Sequence, residues 1–518
     1  MLIKTYSSAV HGVDAQTITV EVNAGGNVGA GKIAYFLVGL PDNAVKESNH
    51  RIEAALKNTG FTMPRMKIVI NLAPADIRKE GSAYDLPIAM GILASSKQIE
   101  VPDIDQYVML GELSLDGGLR PVKGALPIAI QARKEKFKAI ILPKDNAREA
   151  AIVNDLDVYG VESLKEAVEL LQGISDIRPV TVDTRAEFAD RQNIYEIDFT
   201  DVRGQENIKR ALELAAAGGH NAILIGPPGA GKTMLAKRLP TILPPLTLHE
   251  ALETTKIHSV SGTLPVNSSL VTTRPFRSPH HTISDVAMVG GGSNPLPGEI
   301  SIAHNGVLFL DELPEFKRTV LEVMRQPMEE RKVTISRAKS TVDYPASFML
   351  IASMNPCPCG YHNHPEKECV CAPGVVKKYI SKISGPLLDR IDLHVEVTPV
   401  SYDELSSFER PRESSENIRE RVIKAREIQM ERFKNHPEIY SNAQMPAQMA
   451  REVCQITTAG QTLLKTAMTK LQLSARAYDR ILKVARTSAD LAGSADIKIE
   501  HLAEAIQYRS LDREGWAG

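Results

Sequence analysis

The residues of this chain best placed to do chemistry fall in two short runs. The first is Gly226-Pro-Pro-Gly-Ala-Gly-Lys232-Thr233, in which Gly226, Gly229 and Gly231 let backbone N–H groups turn inward around phosphate oxygens. Lys232 then reaches the terminal phosphates of ATP, and the Thr233 hydroxyl is a ligand for Mg2+. An apolar strand, Ala222–Ile225, precedes the loop and a helical run, MLAKRL, follows it, which is the frame the motif requires and a chance glycine loop lacks. The second run is Val307-Leu-Phe-Leu310-Asp311-Glu312, four apolar residues ending in two carboxylates. Asp311 would hold Mg2+ through water. Glu312 would polarise the attacking water, which separates a hydrolase from a passive nucleotide binder. Alone, such a run is common; beside the phosphate loop it completes a site.

A third apolar run, Met349–Met354, is followed by Asn355, whose amide can orient the lytic water. A lone asparagine there would be read as a turn residue. The order phosphate loop, carboxylate strand, polar strand end resembles the AAA+ arrangement, and that favours a role for Asn355. Two arginines extend the resemblance. Arg390, in GPLLDRIDLHVEV, resembles the finger that an AAA+ subunit inserts into its neighbour's site. Arg476, in LSARAYDRILKVAR, lies in the first turn of a helix capped by Ser474 and resembles the sensor arginine of the helical lid. The alternative for either arginine is a solvated surface charge. An arginine donated in trans requires an oligomeric ring.

Four of the five cysteines are clustered as Cys357-Pro-Cys359 and Cys369-Val-Cys371, two pairs separated by nine residues. On an extended segment, residues i and i+2 face one side, so each pair offers two sulfurs together. Four thiolates suit tetrahedral zinc, and a closed four-ligand site is structural. His362 and His364 lie between the pairs and can replace a cysteine. The alternative is a reduced, metal-free loop. Cys454 sits in a helical pattern and reads as a small buried apolar residue. The span from Lys232 to Asp311 is longer than a minimal core needs. Its extra segment, 274–301, is rich in Gly and Pro and suggests a projecting loop or hairpin. A second hairpin, 332–348, has two alternating arms around Arg337 and Lys339. At a hairpin tip facing a channel, those two cations can track phosphates; otherwise they are solvated loop charges.

These residues need a scaffold, and the chain divides accordingly. Residues 1–172 read as a mixed α/β unit, with strand runs at 18–22, 67–72, 107–113 and 139–143 and a helix over NAVKESNHRIEAALKNTG. A polar stretch, 173–193, reads as a linker. Residues 194–401 alternate strand and helix, including a helix over 318–330, and imply a parallel sheet covered on both faces. Residues 402–518 read as almost wholly helical. The fold class is therefore α/β with a C-terminal helical lid. At 518 residues, with 43% hydrophobic and 24% charged composition, the chain has the make-up of a soluble multidomain protein. No apolar run reaches ~18 residues, so no membrane span is expected. The N-terminus lacks the pattern of a signal peptide, which points to the cytoplasm. A net charge of -2 gives no global signal for nucleic acid, but a ring needs positive charge only along its channel.

GPPGAGKT, GVLFLDELPEF, ASMNPCPCG and SARAYDRILKVARTSADL together resemble the magnesium-chelatase-like AAA+ group, and within it the ComM/YifB family. The resemblance covers nearly the whole chain. NLAPADIRKEGSAYDLPIAMGILA and GELSLDGGLRPVKGALPIA are similar to the N-terminal domain this family shares with Lon protease and RadA. The resemblance implies a homo-hexameric ATPase acting as a DNA helicase that drives branch migration in natural transformation, on single-stranded or branched DNA. A Lon-type protease needs a nucleophilic Ser and a Lys base. Here Ser82 is offset, Asp85 stands nearer the nucleophile's place and Lys123 is shifted, so the dyad is absent and the domain reads as a DNA-binding or ring-stabilising scaffold. The competing reading is a chelatase-type ATPase remodelling a partner protein. As the group is known, the chelatase motor lacks both the Lon-like domain and the cysteine cluster, and this chain has both.

Overall fold

The computed structural model describes residues 1–518 apart from 27–33, 193, 266–267, 293–294, 338–339, 363, 365, 373, 400–412, 437, 472, 510 and 512–518. The chain opens on a hairpin: Leu2–His11 pairs antiparallel with Asp14–Ala24 along its whole length. Ile18, Val20 and Val22 alternate into the core, as period-two patterning requires. These strands lie within a seven-stranded mixed sheet whose order is Ala34–Val38, Lys67–Ala73, Asp14–Ala24, Leu2–His11, Tyr107–Met109, Ala139–Pro143, Asp157–Val161. The helix Asp85–Ser95 is apolar all round and is buried along its entire length against this sheet. The helix Asn43–Asn58 starts where the Asp42 carboxylate accepts the Val45 N–H at 2.8 Å.

The run expected as one strand over 107–113 is two. The Gly111 N–H donates to Ala83 O at 2.9 Å, which takes the chain off the ladder before Glu112–Leu113. The polar stretch 173–193 carries a helix, Thr184–Arg191, capped by Asp183, with Phe188 packed on the neighbouring core.

The second sheet is the scaffold of the site. Its order is Phe276–Arg277, Val307–Leu310, Met349–Met354, Ala222–Ile225, Leu393–Glu396, and every neighbouring pair is parallel. The strands Ala222–Ile225, Val307–Leu310 and Met349–Met354 are buried at every residue, as expected for a sheet covered on both faces. The helix expected over 318–330 is two short ones, Arg318–Val323 and Arg325–Glu330, meeting at Met324.

Among the described residues, five α-helices form the lid: Ser415–Arg432, Ala447–Val453, Thr458–Lys470, Ala475–Leu491 and Ile499–Gln507. One hydrophobic core runs without a break from Phe199 through the sheet's outer face to Ala505, so lid and sheet are packed as one body. Buried polar groups key that packing. Asp392, at the foot of the last strand, takes Arg480 Nη1 at 2.9 Å and faces His220 Nδ1 at 3.0 Å, while His220 Nε2 lies 2.8 Å from the Thr487 hydroxyl. The lid's end also closes the sheet's outer edge: the His394 N–H donates to Tyr508 O at 2.8 Å, and Arg509 donates to Ile391 O at 2.7 Å. The first unit joins the second through the helix Ala125–Lys134, whose buried Leu126 and Ile128 share a core with Leu246, Ala251 and Leu270. Among the described residues, no helix is long and apolar enough to cross a membrane.

Candidate active site

In an open parallel sheet, ligands bind at the carboxyl ends of the strands, where loops from neighbouring strands diverge. Three adjacent strands here end in the residues singled out above. Ala222–Ile225 leads into the glycine loop, Val307–Leu310 ends at Asp311, and Met349–Met354 ends at Asn355. The Gly226 N–H donates to Met354 O at 3.2 Å and anchors the start of the loop. Gly229 and Gly231 take φ of +80° and +85°, the left-handed region in which a side chain is strained, and Gly231 is the N-cap of the helix Lys232–Ile242. Backbone N–H groups and the positive end of that helix therefore face the loop's interior.

Lys232 donates to Gly226 O at 2.7 Å, Pro227 O at 2.9 Å and Asn355 Oδ1 at 3.1 Å. Burial pushes its ammonium below the usual lysine range, and the Asp311 and Glu312 carboxylates oppose that shift. The Asp311 carboxylate accepts the Thr233 hydroxyl at 2.8 Å and the Glu312 N–H at 3.1 Å, and the Ser353 hydroxyl also donates to it. Thr233 and Asp311 thus form a hard-oxygen pair of the kind Mg2+ takes beside nucleotide phosphates. Glu312 is directed outward from the strand end with φ of +53°. It shares a cleft of about 400 Å3 with Glu315, Asn355, Lys378, Tyr379 and Lys382. The arrangement can hold a nucleoside triphosphate with its metal and place a carboxylate and an amide beside the terminal phosphate.

The two arginines are placed elsewhere in the single chain. Arg390 is 9% exposed; its guanidinium pairs with Glu329 at 2.5 Å and donates to Pro386 O at 2.6 Å. Arg476 is exposed at the start of the lid helix Ala475–Leu491 and reaches Asp389 at 3.4 Å. Both therefore lie on the Asp389–Arg390 corner.

Arg337 ends the first arm of the hairpin Lys332–Arg337 with Ser340–Pro345. Lys339 lies outside the described residues. The segment 274–301 contributes the edge strand Phe276–Arg277, a helix Asp285–Val289 and a short pair, Gly290–Gly291 with Leu296–Pro297. The two insertions touch: the Tyr344 hydroxyl donates to Pro295 O at 2.7 Å.

The four clustered cysteines converge, with one sulfur from each of Cys357, Cys359, Cys369 and Cys371 inside a 4.8 Å span. Cys369 Sγ lies 3.7 Å from Cys357 Sγ and 3.6 Å from Cys359 Sγ, close to the ~3.8 Å edge of a zinc–thiolate tetrahedron, while Cys357 and Cys359 stand closer together at 3.2 Å. His364 is engaged locally, its Nδ1 accepting the Glu366 and Lys367 N–H groups at 3.0 Å. The cysteine loop follows Asn355 directly and lies on the phosphate loop, where a Cβ built on Gly360 would come within 2.6 Å of Pro228 Cδ. Cys454 is buried, as expected.

Ser82 and Asp85, which stand near the place of a Lon-type nucleophile, are taken up by other partners. The Ser82 hydroxyl donates to Glu112, Asp85 takes both arms of Arg51 at 2.6 and 2.9 Å, and the Lys123 stem lies over Gly262.

Ser353 and His281, which lies 3.8 Å from Glu312, are site neighbours the sequence reading passed over. A polar residue inside the apolar run MLIASM was the available signal for Ser353. For His281 it was only the His-His pair in the segment 274–301, expected as a projecting loop.

Models described as magnesium chelatase, subunit ChlI, match residues 198–405, with its C-terminal part at 412–509, and a model described as subunit ChlI of Mg-chelatase matches 20–146. The chain is 43% identical to the competence protein ComM of Haemophilus influenzae over 98% of its own length and 97% of that protein's. It is 43% identical to the protein YifB of Escherichia coli over the same shares. A stretch covering 34% of the chain is 29% identical to Lon protease 2 of Bacillus subtilis. With its glycine loop and carboxylate strand in register on a parallel sheet, this chain belongs to the ComM/YifB family of magnesium-chelatase-like AAA+ proteins.

Proposed function

We propose that the chain is the subunit of a homo-hexameric ATPase that moves DNA, a helicase promoting branch migration of single-stranded or branched recombination intermediates, as in natural transformation. The observation that carries the reading is the convergence of Lys232, Thr233, Asp311, Glu312 and Asn355 at the carboxyl ends of three adjacent strands, in a chain collinear with a competence protein over 97% of that protein's length. In this reading Gly226, Gly229, Gly231 and Lys232 cradle the phosphates of ATP, and Thr233 and Asp311 hold Mg2+. Glu312 activates the water, Asn355 orients it, Arg390 enters the neighbour's site and Arg476 senses nucleotide from the lid. Cys357, Cys359, Cys369 and Cys371 hold a structural zinc ion. Arg337 and Lys339 grip the DNA backbone. Residues 1–172 form a scaffold without protease chemistry, 173–193 a connection, 194–401 the motor and 402–518 the lid, and the protein works in the cytoplasm.

The competing reading, a chelatase-type ATPase that remodels a protein, has support in the names of the matching family models. One of them covers 20–146, so the N-terminal unit does not separate the two readings. The cysteine cluster and the full-length match to a competence protein favour DNA. The test is ATP turnover with and without forked DNA, together with strand displacement. Turnover should rise with DNA and the rise should fall steeply with salt, because backbone contacts release counterions. No DNA binding at low salt would sink the DNA reading and leave the protein-remodelling one.

A further inference from the structure

The hairpin Lys332–Arg337 with Ser340–Pro345 is a two-stranded ribbon that pairs with no other strand among the described residues. A ribbon of two strands is marginally stable by itself and keeps its direction only where one face is packed. This one has two unlike faces. Val333, Ile335, Val342 and Tyr344 are buried, and Thr334, Ser336, Thr341 and Asp343 alternate with them toward solvent. Ile335 stands opposite Val342 on the buried face, two positions before Arg337.

That pair is held from two directions. From one side, Gly290 of the first insertion comes so near that a Cβ built on it would lie 2.9 Å from Ile335 Cδ1. From the other comes the N-terminal unit. Its opening hairpin turns in two residues, Gly12 and Val13, between the paired His11 and Asp14. Gly12 takes φ of +64°, as the first residue of such a tight turn requires. A Cβ built on it would lie 2.8 Å from Val342 Cγ1. Val13 packs on the motor core that contains Ile335, Val342 and Tyr344. The turn is not free to swing, because its unit is fixed to the motor a second time. The Gly124 N–H donates to Ser259 O at 3.1 Å, near the end of the helix Leu248–Ser261, and Leu126 and Ile128 share a core with Leu246 and Ala251.

We infer that the turn Gly12–Val13 braces the motor's second hairpin, with Val13 as the positioning residue that fixes the direction of the ribbon ending in Arg337. A ribbon that yields absorbs the motor's stroke, whereas a buttressed one passes it to whatever Arg337 holds. The N-terminal unit thereby takes part in the work without any chemistry of its own. That the load is DNA rests on the reading above; the bracing itself does not.

The experiment compares full-length wild type, Val13→Ser and Val13→Ile by amide hydrogen exchange, by ATP turnover with and without forked DNA, and by strand displacement. In Val13→Ser the amides of Lys332–Arg337 and Ser340–Pro345 should exchange about fivefold faster, and those of Val307–Leu310 as in wild type. Basal kcat and KM for ATP should stay unchanged, while strand displacement per ATP consumed falls severalfold. Val13→Ile keeps a branched apolar side chain and should restore both the slow exchange and the displacement. Wild-type exchange in the hairpin of Val13→Ser would overturn the inference. So would faster exchange in Val307–Leu310 as well, which would mark a general loss of stability. Faster exchange confined to the hairpin with undiminished strand displacement would also overturn it, since the ribbon would then need no brace. If forked DNA neither binds nor stimulates the wild type, the DNA reading falls and the brace is judged on exchange alone, a rise confined to the hairpin supporting it and no change refuting it.

Discussion

Asp311 collects three protein donors, from Thr233, Ser353 and the Glu312 amide, and Lys232 gives its protons to three oxygens. Phosphate oxygens compete for the lysine's donors, so Lys232→Ala should weaken ATP binding by about 2 kcal/mol or more, roughly 30-fold in Kd by fluorescent-nucleotide titration. Glu312→Gln keeps shape and loses basicity. It should bind ATP as wild type does and turn it over about 100-fold more slowly or worse; equal rates would remove the assigned role. The sulfur cluster should hold about one zinc per chain after chelator-free purification, and Cys357→Ser with Cys359→Ser should abolish it. Metal analysis finding almost none in folded wild type would end that claim. The loop should lose order before the sheet does, because metal binding is local folding energy. Lys232, Thr233, Asp311, Glu312 and the four cysteines are legible in the sequence because each belongs to a short run of fixed spacing. Ser353 and His281 reach the site through pairing and loop packing between distant segments, which spacing does not encode.

The elements were legible where periodicity is long and unbroken, as in the helices Asn43–Asn58 and Ala475–Leu491. They were missed where a single contact redirects the chain, as at Gly111, or where one residue such as Phe188 carries a short helix's whole apolar face. The polar joint between lid and sheet was also hidden, since His220, Asp392, Arg480 and Thr487 come from three segments. Burial opposes ionisation of Asp392, but the Arg480 guanidinium and His220 together hold its carboxyl well below the usual range. A carboxyl depressed on folding contributes stability above its unfolded pKa, about 4, and loses it as pH falls through that value toward the folded one. Asp392→Asn should therefore cost about 3 kcal/mol at pH 7, and the gap to wild type should narrow as pH falls below about 4. Denaturant unfolding across that range checks it. A gap independent of pH would mean that shape rather than charge is at stake.

The whole molecule, taken as one chain, keeps Arg390 folded back on Glu329, away from Lys232 and Asp311. If Arg390 serves a neighbouring subunit, rings mixed from Arg390→Ala and Lys232→Ala chains should regain part of their ATPase activity, because some interfaces then carry one intact site. Absence of recovery in rings shown to exchange subunits would count against a role in trans. No sequence pattern announced Glu329 as the partner, because the two residues come from distant segments. The closing of the sheet by the C-terminal helix has a different consequence. Leu393–Glu396 is an outer strand, and an uncovered strand of this kind is a template for adding foreign strands. Tyr508 and Arg509 occupy that place in the finished protein. On the ribosome the strand is made long before its cover, so the nascent chain carries a sticky, aggregation-prone border from the synthesis of Leu393 until the last helix docks.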